Sequence, residues 1–218
     1  MHRPESTADL PLVAELAPDP ELEALPEPRR PGKRLTLATL SATVLASLAM
    51  THALASEVTY GLRGGAPVDL GSLAHVTPSA DLDNAWVHGE ALLATTGAVR
   101  YGRPLESDTY RLAPVAGNSK IWVQIRVPAG MEGPHFVPPT SFVGRLIPAG
   151  DAGLRHGGLR ASVDEAGSTQ MPDGAWLLID GEAPATTRWT LGVVALLLGF
   201  AGFGVYGLYR LLRPIKDA

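Results

Sequence analysis

The stretch that decides the fold is WTLGVVALLLGFAGFGVYGLY at residues 189–209, which contains no charged side chain. At about 1.5 Å per residue, a helix of this length is about 30 Å long, which matches the hydrocarbon core of a bilayer. We therefore predict a transmembrane helix over residues 189–212.

A second apolar run, LTLATLSATVLASLAMTHALAS, covers residues 35–56 and contains several Ser and Thr residues. Hydroxyl groups are tolerated in a membrane span because they can donate to carbonyl oxygens of the preceding turn. We predict an uncleaved transmembrane helix here. The alternative is a cleaved signal peptide, because Ala53-Leu54-Ala55 resembles a small-residue cleavage site.

Basic residues flank both apolar runs on their outer sides. They are Arg29, Arg30, Lys33 and Arg34 before the first run, and Arg210, Arg213 and Lys216 after the second. Because basic flanks are retained in the cytoplasm, both termini are predicted to be cytoplasmic and residues 57–188 to form an exported domain. High alanine, glycine and leucine content suggests a bacterial source, and therefore the inner membrane.

The two ends of the chain differ from the centre in composition. Residues 1–34 are rich in proline and carboxylates, which predicts a disordered cytoplasmic tail, and residues 213–218 form a short basic tail. The net charge of -4 argues against nucleic acid as a partner. With no cysteine, the chain has no disulfide and no thiolate metal ligand.

Short alternating segments between the spans indicate β-structure. They cover residues 86–93, 109–115, 120–127, 142–147, 154–163 and 175–180, with a hairpin predicted around Gly117-Asn118-Ser119. No exported helix is predicted. The expected fold class is a membrane-anchored α+β protein, in which two transmembrane helices flank a small antiparallel β barrel or sandwich, an OB-like barrel being one possibility.

The ionisable residues of the central segment form no spacing that identifies a catalytic or metal site. The histidines are His75, His88, His135 and His156, and the main carboxylates are Glu90, Glu106, Asp108, Asp164 and Glu165. Metal-binding histidines on one strand or helix are usually two to four residues apart, and these are not. We interpret all of them as solvated surface, and we predict neither a metal nor a catalytic residue.

Two sets of residues are candidates for binding other proteins. The segment that follows Pro138-Pro139 contains an arginine among apolar residues, so Phe142 and Arg145, together with Trp122, form a candidate partner-binding edge; the alternative is an ordinary strand start. In the second apolar run, Gly192, Ala195, Gly199 and Gly202 share one helix face and could admit another helix. That helix is either the first span or a span of another subunit.

The layout of residues 35–213 resembles the Surfeit-type assembly factors of haem-copper oxidases. Those proteins have a span near each end, both termini on the inner side and a β-rich domain outside. Trp86-Val87-His88-Gly89 looks like their opening strand, and residues 109–127 fall where their next hairpin would lie. The resemblance implies a role in oxidase assembly and brings haem into consideration, but it assigns no functional residue and we predict no cofactor.

The sequence thus leads to two functional hypotheses. The first is a non-enzymatic membrane protein whose exported domain scaffolds or assists assembly of an envelope complex, possibly a respiratory oxidase, with the lipid bilayer and other membrane-protein subunits as partners. The second is an exported small-molecule or haem-binding sensor, or an enzyme, anchored by two helices.

Overall fold

The structure is a computed structural model that describes residues 32–102, 107–131, 136–152, 156, 158–165 and 170–213. Most of the predicted tail at residues 1–34 and of the tail at residues 213–218 lies outside the described residues, as do Glu106 and His135.

Two long apolar helices stand near the ends of the described chain, and both are long and apolar enough to cross a membrane. Helix α1 covers Lys33–Ala53 and begins two residues before the predicted span. It ends at Ala53, and after Leu54 a separate short helix, α2 (Ala55–Gly61), follows directly. Helix α5 covers Trp189–Leu212 and is preceded by the short α4 (Pro184–Thr187).

Helices α1 and α5 pack against each other. On α5, Gly204 is buried and lies beside Val44 of α1, and Gly207 lies beside Leu40. A Cβ atom added at Gly204 would lie 2.5 Å from Cγ2 of Val44 on α1, so this close approach depends on the glycine. The two apolar helices therefore pack on each other, which was one of the two alternatives above, but through residues other than the predicted glycine-rich face.

The described residues of the central domain form one open, seven-stranded mixed sheet with the order β1-β2-β6-β7-β5-β4-β3. The strands are β1 Val68–Ser72, β2 Ala85–Glu90, β3 Val99–Gly102, β4 Thr109–Val115, β5 Asn118–Val127, β6 Ser141–Pro148 and β7 Trp176–Asp180. β1 pairs with β2, and β5 with β7, in parallel, and the other neighbours are antiparallel.

This topology corrects the expected antiparallel barrel, including the OB-like form. The outer strands of the sheet are β1 and β3, so the sheet is not closed. The last strand, β7, lies between β5 and β6 instead of joining an edge. Alternating sequence patterns reveal individual strands and local hairpins, but they do not reveal where a distant strand inserts.

Most of the predicted strands are confirmed. The hairpin around Gly117 is β4 and β5, and the segments at residues 86–93, 142–147 and 175–180 contain β2, β6 and β7. The strand predicted at residues 154–163 is wrong, because Leu159–Glu165 forms a helix, α3. The expectation of no helix between the spans is wrong as well, because the short helices α2, α3 and α4 lie there. The sequence did not reveal them because so few turns do not establish a periodic pattern.

Each face of the sheet carries its own apolar core. The helix face, so named because Leu159 and Val163 of α3 pack on it, includes Trp122, Ile147 and Ile179. We call the opposite face the loop face. Its core consists of the buried side chains Leu73, Ala85, Val87, Ala91, Val115, Ile121, Val123, Ile125, Phe142, Leu146 and Leu178. A strand buried on both faces has few polar positions, which is why β6 reads as a nearly continuous apolar run.

Candidate functional site

Strand β6 lies in the interior of the sheet, between β2 and β7. Its Phe142 is fully buried and its Arg145 is 2% exposed, while Trp122 on β5 is 1% exposed. Phe142 belongs to the loop-face core and Trp122 to the helix-face core. These residues therefore do not form a sheet edge that a partner could pair with, which corrects the prediction made for them.

A buried arginine needs partners because an isolated charge in a protein interior costs several kcal/mol. The Nη1 atom of Arg145 donates to Glu57 Oε2 at 2.7 Å and lies 3.5 Å from Glu182 Oε1. Its Nε atom donates to Asn84 Oδ1 at 2.7 Å. Both carboxylates are themselves buried, with exposed side-chain fractions of 8% for Glu57 and 7% for Glu182.

The two carboxylates come from the segments that adjoin the long apolar helices. Glu57 lies on α2, directly after α1, and Glu182 lies just before α4, which leads into α5. Arg145, in contrast, lies in the middle of the central sheet. One guanidinium group therefore connects the chain leaving the first helix, the chain entering the second helix, and the domain between them.

Tyr60 packs against the same guanidinium group. Its ring centroid lies 4.7 Å from Cζ of Arg145, within the range of a cation–π contact. Its hydroxyl group donates to the backbone carbonyl oxygen of Glu182, so it also joins α2 to the segment before α4. Burial, followed by the negative charge of Glu182, raises the pKa of the Tyr60 hydroxyl well above its usual range.

Asn84 positions the start of β2 against α2. It has a φ of 56°, a left-handed backbone conformation that asparagine tolerates better than most residues. Its Nδ2 atom donates to the carbonyl oxygen of Ser56 at 2.9 Å and to Thr59 Oγ1 at 3.0 Å. With its Oδ1 atom on Arg145, this one amide side chain connects α2 to both β2 and β6.

His156 completes the group, which we call the junction cluster: Glu57, Tyr60, Asn84, Arg145, His156 and Glu182. The imidazole is 1% exposed, and its Nε2 atom lies 3.4 Å from Glu182 Oε2. This burial corrects the interpretation of His156 as a solvated surface residue.

The arrangement is suited to holding chain segments together. The Arg145 guanidinium already lies between the two carboxylates, where a metal cation would have to bind. Among the residues that the structure describes, no group of three His, Asp or Glu side chains could hold a metal ion. The charged groups are buried, so in this conformation the cluster offers no open surface to a substrate.

The glycine-rich face predicted on the second span does not contact α1. Gly192, Ala195, Gly199 and Gly202 are all exposed, and a Cβ atom added at any of the three glycines would meet nothing within 4 Å. Its use by a span of another subunit stays a prediction.

Sequence reasoning found Arg145 but none of its partners. The sequence contains part of the information needed to find them. An arginine inside the apolar segment 142–147 requires a buried carboxylate as partner. Glu57 and Glu182 are the acidic residues nearest to the two long apolar runs at residues 35–56 and 189–209. The sequence does not show that the domain-side ends of both long apolar runs approach Arg145 in the middle of β6.

Comparison of the chain with family models, with curated proteins and with solved structures gives no match.

Proposed function

We propose that this protein is an integral protein of the bacterial inner membrane, anchored by α1 and α5, with both termini in the cytoplasm and the sheet domain on the periplasmic side. In this proposal the exported domain scaffolds or assists assembly of an envelope complex, for example a respiratory oxidase. The partners are the lipid bilayer and other membrane-protein subunits.

The observation that carries the proposal is the junction cluster. A domain that acts on soluble molecules needs only a flexible tether to its anchor. Here, two carboxylates beside the helix ends bind one arginine of the central sheet, which fixes the domain relative to both helices. A fixed orientation is useful where the domain and the helices together present one continuous surface to a partner in the same membrane.

The outer surfaces of the two helices support a membrane environment. Apart from their mutual contact, α1 and α5 expose many large apolar side chains, including Leu45, Leu196, Phe200 and Phe203. In water such a surface would be costly, whereas lipid tails or neighbouring spans would cover it without cost. The basic residues before α1 and at the end of α5 favour cytoplasmic termini.

The membrane orientation can be tested with single cysteines, since the chain has none of its own. Ser79, an exposed residue of the sheet domain, is replaced by cysteine in one variant, and Ser6 in another. In intact spheroplasts, a membrane-impermeant maleimide should label Ser79→Cys, whereas Ser6→Cys should be labelled only after lysis. The reverse pattern, or equal labelling of both before lysis, would overturn the orientation.

The scaffold role is tested by purifying the tagged full-length protein in mild detergent, with mass spectrometry and an absorption spectrum on one sample. Stoichiometric membrane-protein subunits are the expected result, and oxidase subunits or a haem band would identify the complex. A colourless protein that purifies alone under all growth conditions would contradict the proposal.

A matched pair of variants shows which surface binds the partner. Gly199→Leu adds bulk on the exposed face of α5, and Gly204→Leu adds it at the contact with α1. If another span uses the predicted glycine-rich face, Gly199→Leu lowers the yield of the partner while leaving the protein's own stability unchanged. Gly204→Leu should instead destabilise the pair of helices.

A further inference from the structure

Three side chains on neighbouring strands form a serine, histidine and aspartate arrangement that the sequence does not reveal. They are Asp69 on β1, His88 on β2 and Ser141 at the start of β6. The His88 Nδ1 atom lies 3.1 Å from Asp69 Oδ1, and its Nε2 atom lies 3.1 Å from Ser141 Oγ. These are the hydrogen-bonding distances at which an imidazole can take a proton from a hydroxyl group.

Strand register explains how residues so distant in sequence meet. Asp69 and His88 are direct partners in the parallel β1–β2 pair. In the antiparallel β2–β6 pair, His88 is opposite Val143, so Ser141 is a diagonal neighbour on the same side. Because Val87 and Phe142 point into the loop-face core, the alternating residues His88 and Ser141 must lie on the helix face.

The direction of each hydrogen bond follows from the chemistry of the groups. Hydrogen bonds from the Gly71 N–H group and from His88 hold the pKa of Asp69 below its usual range, so this carboxylate can only accept. The Nδ1 atom of His88 must then carry the proton that is donated to Asp69. In the neutral imidazole, Nε2 is left as an acceptor for the Ser141 hydroxyl, which is the tautomer that a general base requires.

The group is open to solvent, unlike the junction cluster. The exposed side-chain fractions are 73% for Asp69 and 31% for His88, and Ser141 is also exposed. An open position of this kind supplies little binding energy for stabilising a transition state. The reaction that we expect such a site to catalyse is therefore acyl transfer from an ester or thioester, because these leaving groups depart more readily than the amine of an amide.

We propose that Asp69, His88 and Ser141 form a nucleophilic site that hydrolyses carboxylic esters or thioesters, with Ser141 as the nucleophile, His88 as the general base and Asp69 as the residue that positions His88. The proposal goes beyond the scaffold role. It makes the exported domain an enzyme, whereas the sequence led to the expectation of a non-enzymatic protein.

The reaction balances without any additional reagent. The Ser141 Oγ atom forms a bond to the acyl carbon while its proton passes to His88 Nε2, and the bond to the leaving alkoxide or thiolate breaks as His88 returns that proton to it. Water then attacks the acyl-serine with His88 as base, which releases the carboxylic acid and restores Ser141. No electrons are exchanged with an external group.

The test uses the full-length protein in detergent and a biotinylated fluorophosphonate probe, which forms a bond from phosphorus to a nucleophilic serine and releases fluoride. We expect peptide mapping to find the label on Ser141. Labelling should be absent in Ser141→Ala and unchanged in Ser79→Ala, which removes another exposed serine of the same domain. Hydrolysis of p-nitrophenyl acetate should follow the same pattern.

The roles of the other two residues give further readouts. His88→Gln should lower the labelling rate by at least about 100-fold, as expected for loss of a general base. In His88→Ala, added imidazole should restore part of the rate. Asp69→Asn should lower the rate by about tenfold, the effect of losing one hydrogen bond, and Asp69→Glu should recover part of it.

Each outcome supports or overturns the catalytic assignment. Labelling of Ser141 that depends on His88, in variants with unchanged thermal unfolding, supports it. No labelling in folded protein, or labelling that is equal in His88→Gln, overturns it and leaves a hydrogen-bond network that only joins β1 to β2 and β6. Neither result affects the purification test of the scaffold role, so the two proposals fail independently.

Discussion

Two polar networks lie on the helix face of the sheet, only a few residues apart along β2 and β6. The junction cluster surrounds Arg145, which is opposite Trp86, and the second network surrounds His88, which is opposite Val143. Helix α2 covers the first network, whereas the second remains open to water. The same pair of strands therefore carries one network that holds the fold together and another that is accessible to other molecules.

The difference between the two networks is one of environment. In a buried site, charges interact strongly, but each one left without a partner is costly because it has lost its hydration. At the surface, water and salt screen the interaction, and water replaces a lost partner. Removing one member should therefore destabilise the protein strongly in the junction cluster and weakly around His88.

Arg145→Met should have the largest effect. It leaves Glu57 and Glu182 buried without their cation, which we expect to destabilise the protein by about 3–5 kcal/mol. Chemical denaturation of the detergent-solubilised protein measures the change. The matched control is Arg126→Met, which breaks an ion pair with Asp108 in which the arginine is 68% exposed, and it should have a much smaller effect because water can replace the lost cation. Equal losses in the two variants would show that burial does not set the strength of these pairs.

Glu57→Gln should destabilise the protein less than Arg145→Met does. The amide oxygen can still accept from Arg145, and Glu182 still balances the positive charge. We expect a loss of about 1 kcal/mol, which is the difference between a hydrogen bond to a charged acceptor and one to a neutral acceptor. A double-mutant cycle with Arg145→Met measures the coupling between the two residues, and additive losses would mean that they do not interact.

Tyr60→Phe should cost about 0.5–1.5 kcal/mol at neutral pH, the contribution of one hydrogen bond. It should also change stability in alkali. Because burial raises the pKa of Tyr60, this residue stays protonated in the folded protein at pH values where the unfolded chain loses the proton. The wild-type free energy of unfolding should therefore fall as the pH rises above about 10.

The alkaline effect is measured by comparing denaturation of wild type and Tyr60→Phe between pH 9 and pH 11. The variant should lose less stability over this range. Parallel curves for the two proteins would contradict the assignment of the alkaline decrease to Tyr60.

His88→Gln should have the smallest effect on stability, within about 1 kcal/mol, because its partners are exposed and water can replace them. The same variant is expected to show the large loss of probe labelling described above. A loss of stability as large as that of Arg145→Met would show that the His88 network is structural.

The local elements were largely readable from the sequence. The uncharged run at residues 189–209 predicts a long apolar helix, which is α5, and the Gly117 turn sets the hairpin of β4 and β5. Both signals are contained within a few neighbouring residues. The short helices α2, α3 and α4 carry no such signal, because so few turns do not establish a period.

The open sheet and both polar networks depended on contacts between distant residues. Placing β7 between β5 and β6 made β6 an interior strand and buried Arg145, and Glu57 lies 88 residues away from Arg145 along the chain. In the same way, strand register brought Asp69 and Ser141 to the two ring nitrogens of His88. The sequence by itself determined which segments are apolar helices and strands, because those preferences are local. Only the tertiary structure decided which ionisable groups are buried together and which stay exposed, because burial depends on how distant segments pack.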